Sequence, residues 1–192
     1  VLTKLRNMEQ KALRKILWED AGKAGLALGG VSTAYLFLTQ FLGKIQLPAF
    51  AATLISAVLW AVKFGGCIWL MMLFMKMFAS KNSAVDNRAT YRFGLAVALL
   101  SALVYAAACF ANTAFISADM INENIKLMME QMAPMMDSNT MNKVDETMEK
   151  LPQITFFSNL IYCFLYGTIL SFILSRNIPS RNPFADRTSD EW

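Results

Sequence analysis

The sequence predicts an all-α integral membrane protein: a four-helix bundle with an amphipathic N-terminal helix and a helical extracytoplasmic loop between spans three and four. Two observations predict this class. Hydrophobic residues make up 56% of the chain and charged residues only 17%, whereas a soluble domain has roughly 25% charged residues. Four segments also hold the roughly 20 apolar residues that a helix needs to cross a hydrocarbon core about 30 Å thick.

The predicted spans are residues 24–42, 50–75, 93–117 and 154–175. Each is expected to be a helix because lipid offers no partner for an unpaired backbone amide. The long segment 118–153 separates spans three and four, and only span two contains a charged residue, Lys63. The predicted organisation is therefore three spans within 24–117, a loop over 118–153, and the fourth span.

The lysines and arginines are sorted by loop. Thirteen lie in residues 1–23, between spans two and three, and in the tail 176–192, against four in the turn after span one and in the long loop. Cytoplasmic loops carry an excess of lysine and arginine, so both termini are predicted to be cytoplasmic. The net charge of +4 therefore indicates membrane topology, and no nucleic-acid partner is expected.

Residues 1–23 form a predicted cytoplasmic, basic segment before span one. Apolar residues within 2–18 fall on one side of a helix with basic residues around them. Such a helix would lie on an anionic membrane surface, which makes Arg14 and Lys15 candidate lipid contacts. The alternative interpretation is a plain extension of span one.

The loop 118–153 is acidic and rich in methionine, with eight of the thirteen methionines of the chain. Its apolar residues follow helical spacing, which predicts two short amphipathic helices with a bend after Pro134. Met128, Met132 and Met135 are the candidate contacts for a protein partner or lipid. Methionine sulfur also binds copper(I), but the helical spacing and the absence of histidine favour packing, so no metal or cofactor is expected.

Lys63 lies near the middle of span two, where a charged side chain costs about 2.5–3.5 kcal/mol on insertion scales. Such a lysine normally faces the bundle interior, a water-filled cavity or a partner. No acid lies within the four spans, so a counter-ion would come from outside them. The alternative is a lysine satisfied by water and backbone carbonyls.

No catalytic motif accompanies these features. The chain has no histidine, no glycine-rich phosphate loop and no paired carboxylates in the membrane, so no enzyme activity is expected.

Several segments resemble a bacterial membrane family, the domain-of-unknown-function family 4199. They are the entry to span three at Tyr91–Ala96, its end at Phe115-Ile116, the acidic methionine-rich loop, and Asn182-Pro183-Phe184 after span four. The resemblance implies four membrane helices in the bacterial inner membrane and no established activity. It also implies genes beside glycosyltransferases that act on lipid-linked sugars.

The function expected from these features is that of a non-catalytic accessory or scaffolding subunit of a membrane complex, for which the resemblance suggests such a glycosyltransferase. The bilayer and either a protein partner or further copies of the chain are the expected partners. The alternative is a small oligomeric transporter or lipid-handling protein that uses Lys63.

Overall fold

The computed structural model describes residues 2–43, 45, 48–81, 87–132 and 138–178. Side chains are described in these ranges except at residues 2–13, 49, 132, 138–142 and 145. Every regular element in these ranges is helical. In chain order these are α1 (Leu2–Gly43), α2 (Ala49–Lys81), α3 (Asn87–Ala111), a π-helical turn (Asn112–Ile116), α4 (Ala118–Met132), α5 (Ser138–Glu149) and α6 (Leu151–Asn177).

Four helical segments in the described part of the chain are long and apolar enough to cross a membrane. They coincide with the four predicted spans and continue past the apolar runs, so the all-α, multi-pass architecture is confirmed. The segments are Arg14–Gly43, Phe50–Lys81, Asn87–Ile116 and Leu151–Asn177.

Helix α1 corrects one prediction. It runs from Leu2 to Gly43 without a break, so residues 2–18 extend span one and do not form a separate amphipathic helix. The junction at residues 19–27 contains no proline, and its three alanines favour helix continuation despite two glycines. At 1.5 Å per residue the helix is about 63 Å long, roughly twice the hydrocarbon thickness.

Helix α3 is the centre of the bundle and packs most extensively on α6 and α1. A row of small residues on α3 is buried: Ala98, Ala102 and Ala106. On α1, a Cβ added at Gly25 would lie 2.6 Å from the Leu100 Cβ, and one at Gly29 would lie 2.7 Å from the Val104 Cβ. The Gly-x-x-x-Gly spacing of α1 therefore brings its backbone against α3 within the same chain.

Helix α6 meets α3 in the same way. A Cβ added at Gly167 would lie 2.6 Å from the Ala98 Cβ, and Ser171 is buried opposite Gly94. The Ser171 hydroxyl donates to the Gly167 carbonyl at 2.6 Å, so this polar group is satisfied inside its own helix.

Helix α2 is the least integrated of the four. Its C-terminal half is anchored by buried Met71, Met75 and Phe78. The Phe78 ring stacks on the Phe93 ring of α3, with centroids 4.2 Å apart. The half of α2 before Lys63 is largely exposed. In that half, α1 and α2 together line a groove.

At the end of the bundle opposite Phe78 and Phe93, the π-helical turn joins α3 to α4 around two buried polar residues. The Ser117 backbone N–H donates to the Asn112 carbonyl at 2.8 Å, and the Ser117 hydroxyl donates to Asn112 Oδ1 at 3.3 Å. Gln40 of α1 donates to the Ser117 hydroxyl at 3.4 Å. Helices α4 and α5 follow within the long loop, and the bend predicted after Pro134 lies outside the described residues.

The tight contact of α1 with α3 is tested by a matched pair of neighbouring glycines. Gly29→Ala should destabilise the protein by about 1–3 kcal/mol because the new methyl group is forced against Val104. Gly30→Ala meets nothing within 4 Å and should be neutral or stabilising by up to about 1 kcal/mol. Thermal unfolding in mild detergent measures both, and equal midpoints for the two variants would contradict this packing.

Candidate functional site

Lys63 occupies the middle of α2, as the sequence predicts. It lies fourteen residues after Ala49 and eighteen before Lys81, about 21 Å and about 27 Å along the helix axis from the two ends. Its side chain is half-buried and faces the bundle interior, because rings of two other helices surround its ammonium group.

Three aromatic rings form a cage around the Lys63 ammonium. Its Nζ lies 4.6 Å from the ring centroid of Tyr35 on α1 and 4.9 Å from that of Tyr105 on α3. The Phe64 ring, next to it on α2, lies at 5.8 Å. All three distances are within the about 6 Å over which a ring quadrupole attracts a cation.

The cage offsets part of the cost of placing the ammonium in the membrane. A cation–π contact contributes between about 0.5 and about 2 kcal/mol as its exposure to water decreases, against an insertion cost of about 2.5–3.5 kcal/mol. The rings carry no net charge, so they supply no counter-ion. Lys63 forms no ion pair with any residue that the structure describes.

A cavity of about 80 Å³ adjoins the Lys63 side chain. The volume is sufficient for a few water molecules or a small polar group. All four membrane-spanning helices contribute to its wall, and no carboxylate is among the described side chains that line it. They include Ser32 of α1, Lys63 and Cys67 of α2, Ser101 and Tyr105 of α3, and Tyr162, Cys163 and Tyr166 of α6.

The cavity wall includes an exposed side chain of α6. Tyr162 lines the cavity and yet is 65% exposed. It lies eleven residues after Leu151 and fifteen before Asn177, about 17 Å and about 23 Å from the two ends of the helix. This exposed part of the wall is therefore near the middle of the helix.

The three cysteines, isolated in the sequence, converge on this region. Cys67 and Cys163 line the cavity, and Cys109 is buried one helical turn after Tyr105, which also lines the cavity. The Ser32 hydroxyl and the Cys67 sulfur are 3.8 Å apart. No group of three or more potential metal ligands of the Cys, Asp or Glu type occurs among the described residues.

The other predicted site residues lie away from Lys63. Arg14 and Lys15 are exposed near the start of α1, at the end of the bundle where α2 meets α3. Met128 is exposed on α4, beyond the opposite end. The side chain of Met132 and all of Met135 lie outside the described residues. The structure therefore does not bring these residues together into one site with Lys63.

Sequence reasoning missed the rings of the cage. Tyr35 and Tyr105 are distant from Lys63 in the chain, and each is an ordinary aromatic residue of an apolar span. The sequence signal that could have identified them is their depth in the spans. Tyrosines near the middle of neighbouring spans are level with a mid-span lysine, so their ring faces can contact its ammonium group. Which of the five tyrosines of the chain face inward depends on how the helices are rotated.

Comparisons with curated proteins and with solved structures find no match to this chain. The profile of a protein family described as "Protein of unknown function (DUF4199)" matches residues 23–176. The matched region contains all four apolar runs, Lys63, the rings of its cage and the long loop. The chain is therefore a multi-pass membrane protein of the DUF4199 family.

Proposed function

We propose that this protein is a non-catalytic, lipid-handling membrane protein that binds a lipid-soluble molecule in the cavity beside Lys63. One observation carries the proposal: an ammonium group in the middle of a candidate span lines the same cavity as Tyr162, which is largely exposed on the outside of α6. The space beside the ammonium can hold a small polar group of a ligand as well as water.

The position of Tyr162 determines where a ligand comes from. Tyr162 is near the middle of α6, so a ligand enters from the bilayer and not from the water on either side. The wall combines aromatic and aliphatic side chains with a few polar groups, the composition typical of small-molecule sites. The proposal of a non-catalytic role is based on the sequence, which has no histidine and no catalytic motif.

Bound lipid in the purified protein tests this function. The full chain is purified from native membranes in mild detergent, and its retained lipids are extracted and quantified by mass spectrometry. We expect one class of lipid to be retained in near-stoichiometric amount and to fall at least tenfold in Lys63→Met. Lys76→Met removes an exposed lysine of the same helix and serves as the matched control. Thermal unfolding checks that each of the three proteins is folded. Equal lipid retention by all three would contradict the proposal.

A second candidate function, the accessory subunit of a membrane complex, is favoured by the surface of α4. Leu127 and Met128 are 52% and 57% exposed on a helix that also carries Asp119, Glu123 and Glu130. An apolar surface outside the membrane spans marks an interaction site. Because acids outnumber the one lysine of α4, an anionic lipid surface repels it, and a protein partner is the better occupant. The identity of that partner as a glycosyltransferase stays a prediction from the family resemblance.

The α4 surface is tested by co-purification. The double variant Leu127→Glu and Met128→Glu should reduce recovery of a stoichiometric partner at least tenfold, because two charges would face an apolar contact. Lys126→Glu changes the charge of α4 by the same two units at an exposed position on the other face of the helix and should leave recovery unchanged. A wild-type chain that runs alone in mild detergent would count against the accessory role.

The proposed location is the bacterial inner membrane, with both termini in the cytoplasm and α4 and α5 on the opposite face. The even number of spans is compatible with termini on one side, and the sorted lysines and arginines support the choice of side.

Labelling of engineered cysteines tests this orientation. Lys126→Cys on α4 should react with a membrane-impermeant maleimide in right-side-out membrane vesicles, and Arg88→Cys at the start of α3 should react only after the membrane is permeabilised. Both positions are exposed, and the unmodified chain gives the background from its native cysteines. The reverse labelling pattern would show that the orientation is inverted.

A further inference from the structure

We propose that the ligand of this cavity is a long-chain carboxylate, such as a free fatty acid. Its carboxylate pairs with the Lys63 ammonium, and its acyl chain leaves past Tyr162 into the bilayer. The inference rests on the proposed lipid-handling function and specifies the chemistry of the ligand.

The charge of the wall selects an anionic group. The ammonium of Lys63 is a hydrogen-bond donor that can pair with an anion, and Tyr162 and Tyr166 lie on the same wall. None of the described lining residues is an acid, so no negative charge within the wall competes for Lys63. The aromatic rings hold the ammonium in place without neutralising it, which leaves it available to an anion.

The number of positive charges favours a singly charged anion, such as a carboxylate, over a phosphate monoester. One carboxylate and one ammonium form a pair with no net charge. A phosphate with more than one negative charge leaves an excess charge near the middle of the bilayer, where an isolated charge is costly. Lys63 is the one lysine or arginine among the described lining residues, so the wall offers no second cation for a phosphate.

The volume of the cavity favours a small head group. An apolar cavity of about 150 Å³ is known to hold a benzene ring, and the space beside Lys63 is about 80 Å³. An aromatic head group or a sugar exceeds this space, whereas the three heavy atoms of a carboxylate fit within it. The acyl chain needs no enclosed volume because it extends from the opening into lipid.

The path of the acyl chain follows from the side chains at the opening. Tyr162 is largely exposed, and the nearby cavity wall includes Phe64 and Leu170, both half-buried. The edge of the Phe64 ring meets Tyr166 of α6, with centroids 5.6 Å apart. A chain that leaves the cavity at Tyr162 therefore passes between aromatic and aliphatic surfaces before it reaches the bilayer.

Photo-crosslinking tests the inference directly. The full chain is placed in nanodiscs of zwitterionic phosphatidylcholine with a palmitate analogue that carries a diazirine on its chain. Labelling is located by peptide mass spectrometry. We expect labelling of the α6 segment around Tyr162, competed by palmitate and not by methyl palmitate, which has the same chain without the charge. Lys63→Met should reduce the labelling that palmitate competes at least tenfold. Lys63→Arg, which keeps the charge, should retain most of it, and Lys76→Met should match the unmodified chain.

Three results would overturn the inference. Equal competition by palmitate and methyl palmitate would show that the carboxylate is not recognised. Stronger competition by hexadecyl phosphate than by palmitate would assign the cavity to a phosphorylated lipid and leave the lipid-handling function standing. Labelling that does not depend on Lys63 with any probe would overturn both the ligand and the function. Size-exclusion profiles confirm that each variant is folded. If Lys63→Met does not fold, the comparison of palmitate with methyl palmitate on the unmodified chain keeps the test decisive.

Discussion

Helices in a bilayer gain little from burying apolar side chains against one another, because the lipid is equally apolar, so close backbone contact has to hold them together. In this protein that contact is made by α3. Its small residues receive α1 at Gly25 and Gly29 and α6 at Gly167, which brings three helices into one compact unit. Helix α2 has no comparable contact with α3 before Lys63 and is anchored by larger side chains near its C-terminal end. The cavity lies at the level of Lys63, where the difference in packing between α2 and the other three helices begins.

The same difference in packing explains how the chain accommodates a lysine at mid-membrane depth. Tight contact between α1 and α3 places Tyr35 and Tyr105 side by side, and the two rings face α2 where Lys63 enters the bundle. The rings offset part of the cost of placing the ammonium there. The ammonium also adjoins the cavity. An ammonium group that aromatic rings stabilise is suited to the proposed reversible binding of an anion, because the protein without a ligand is also stable.

The long loop follows a different physical rule. Its helices lie beyond the apolar spans and carry many acids, so the burial of their apolar faces is governed by water. The buried Asn112 and Ser117 at the π-helical turn fix where α4 leaves α3, and π-helical turns often occur at functional positions. Along α4 the apolar side chains are then only partly covered, since Leu127 and Met128 remain exposed. The bundle and the loop thus present two separate candidate surfaces, one toward lipid and one toward water.

The sequence by itself determined the number of spans, the depth of Lys63 and the lack of acids around it, because the length of an apolar run and the position of a charge within it are properties of a linear chain. It also indicated the small-residue spacings, although not which helices they join. Only the tertiary structure decided that residues 2–18 continue span one, that Tyr35 and Tyr105 enclose the ammonium, and that three isolated cysteines share one region. These outcomes depend on the rotation of each helix about its axis, which is set by contacts between distant residues such as Gly29 and Val104. In a uniformly apolar span, no local sequence pattern indicates that rotation.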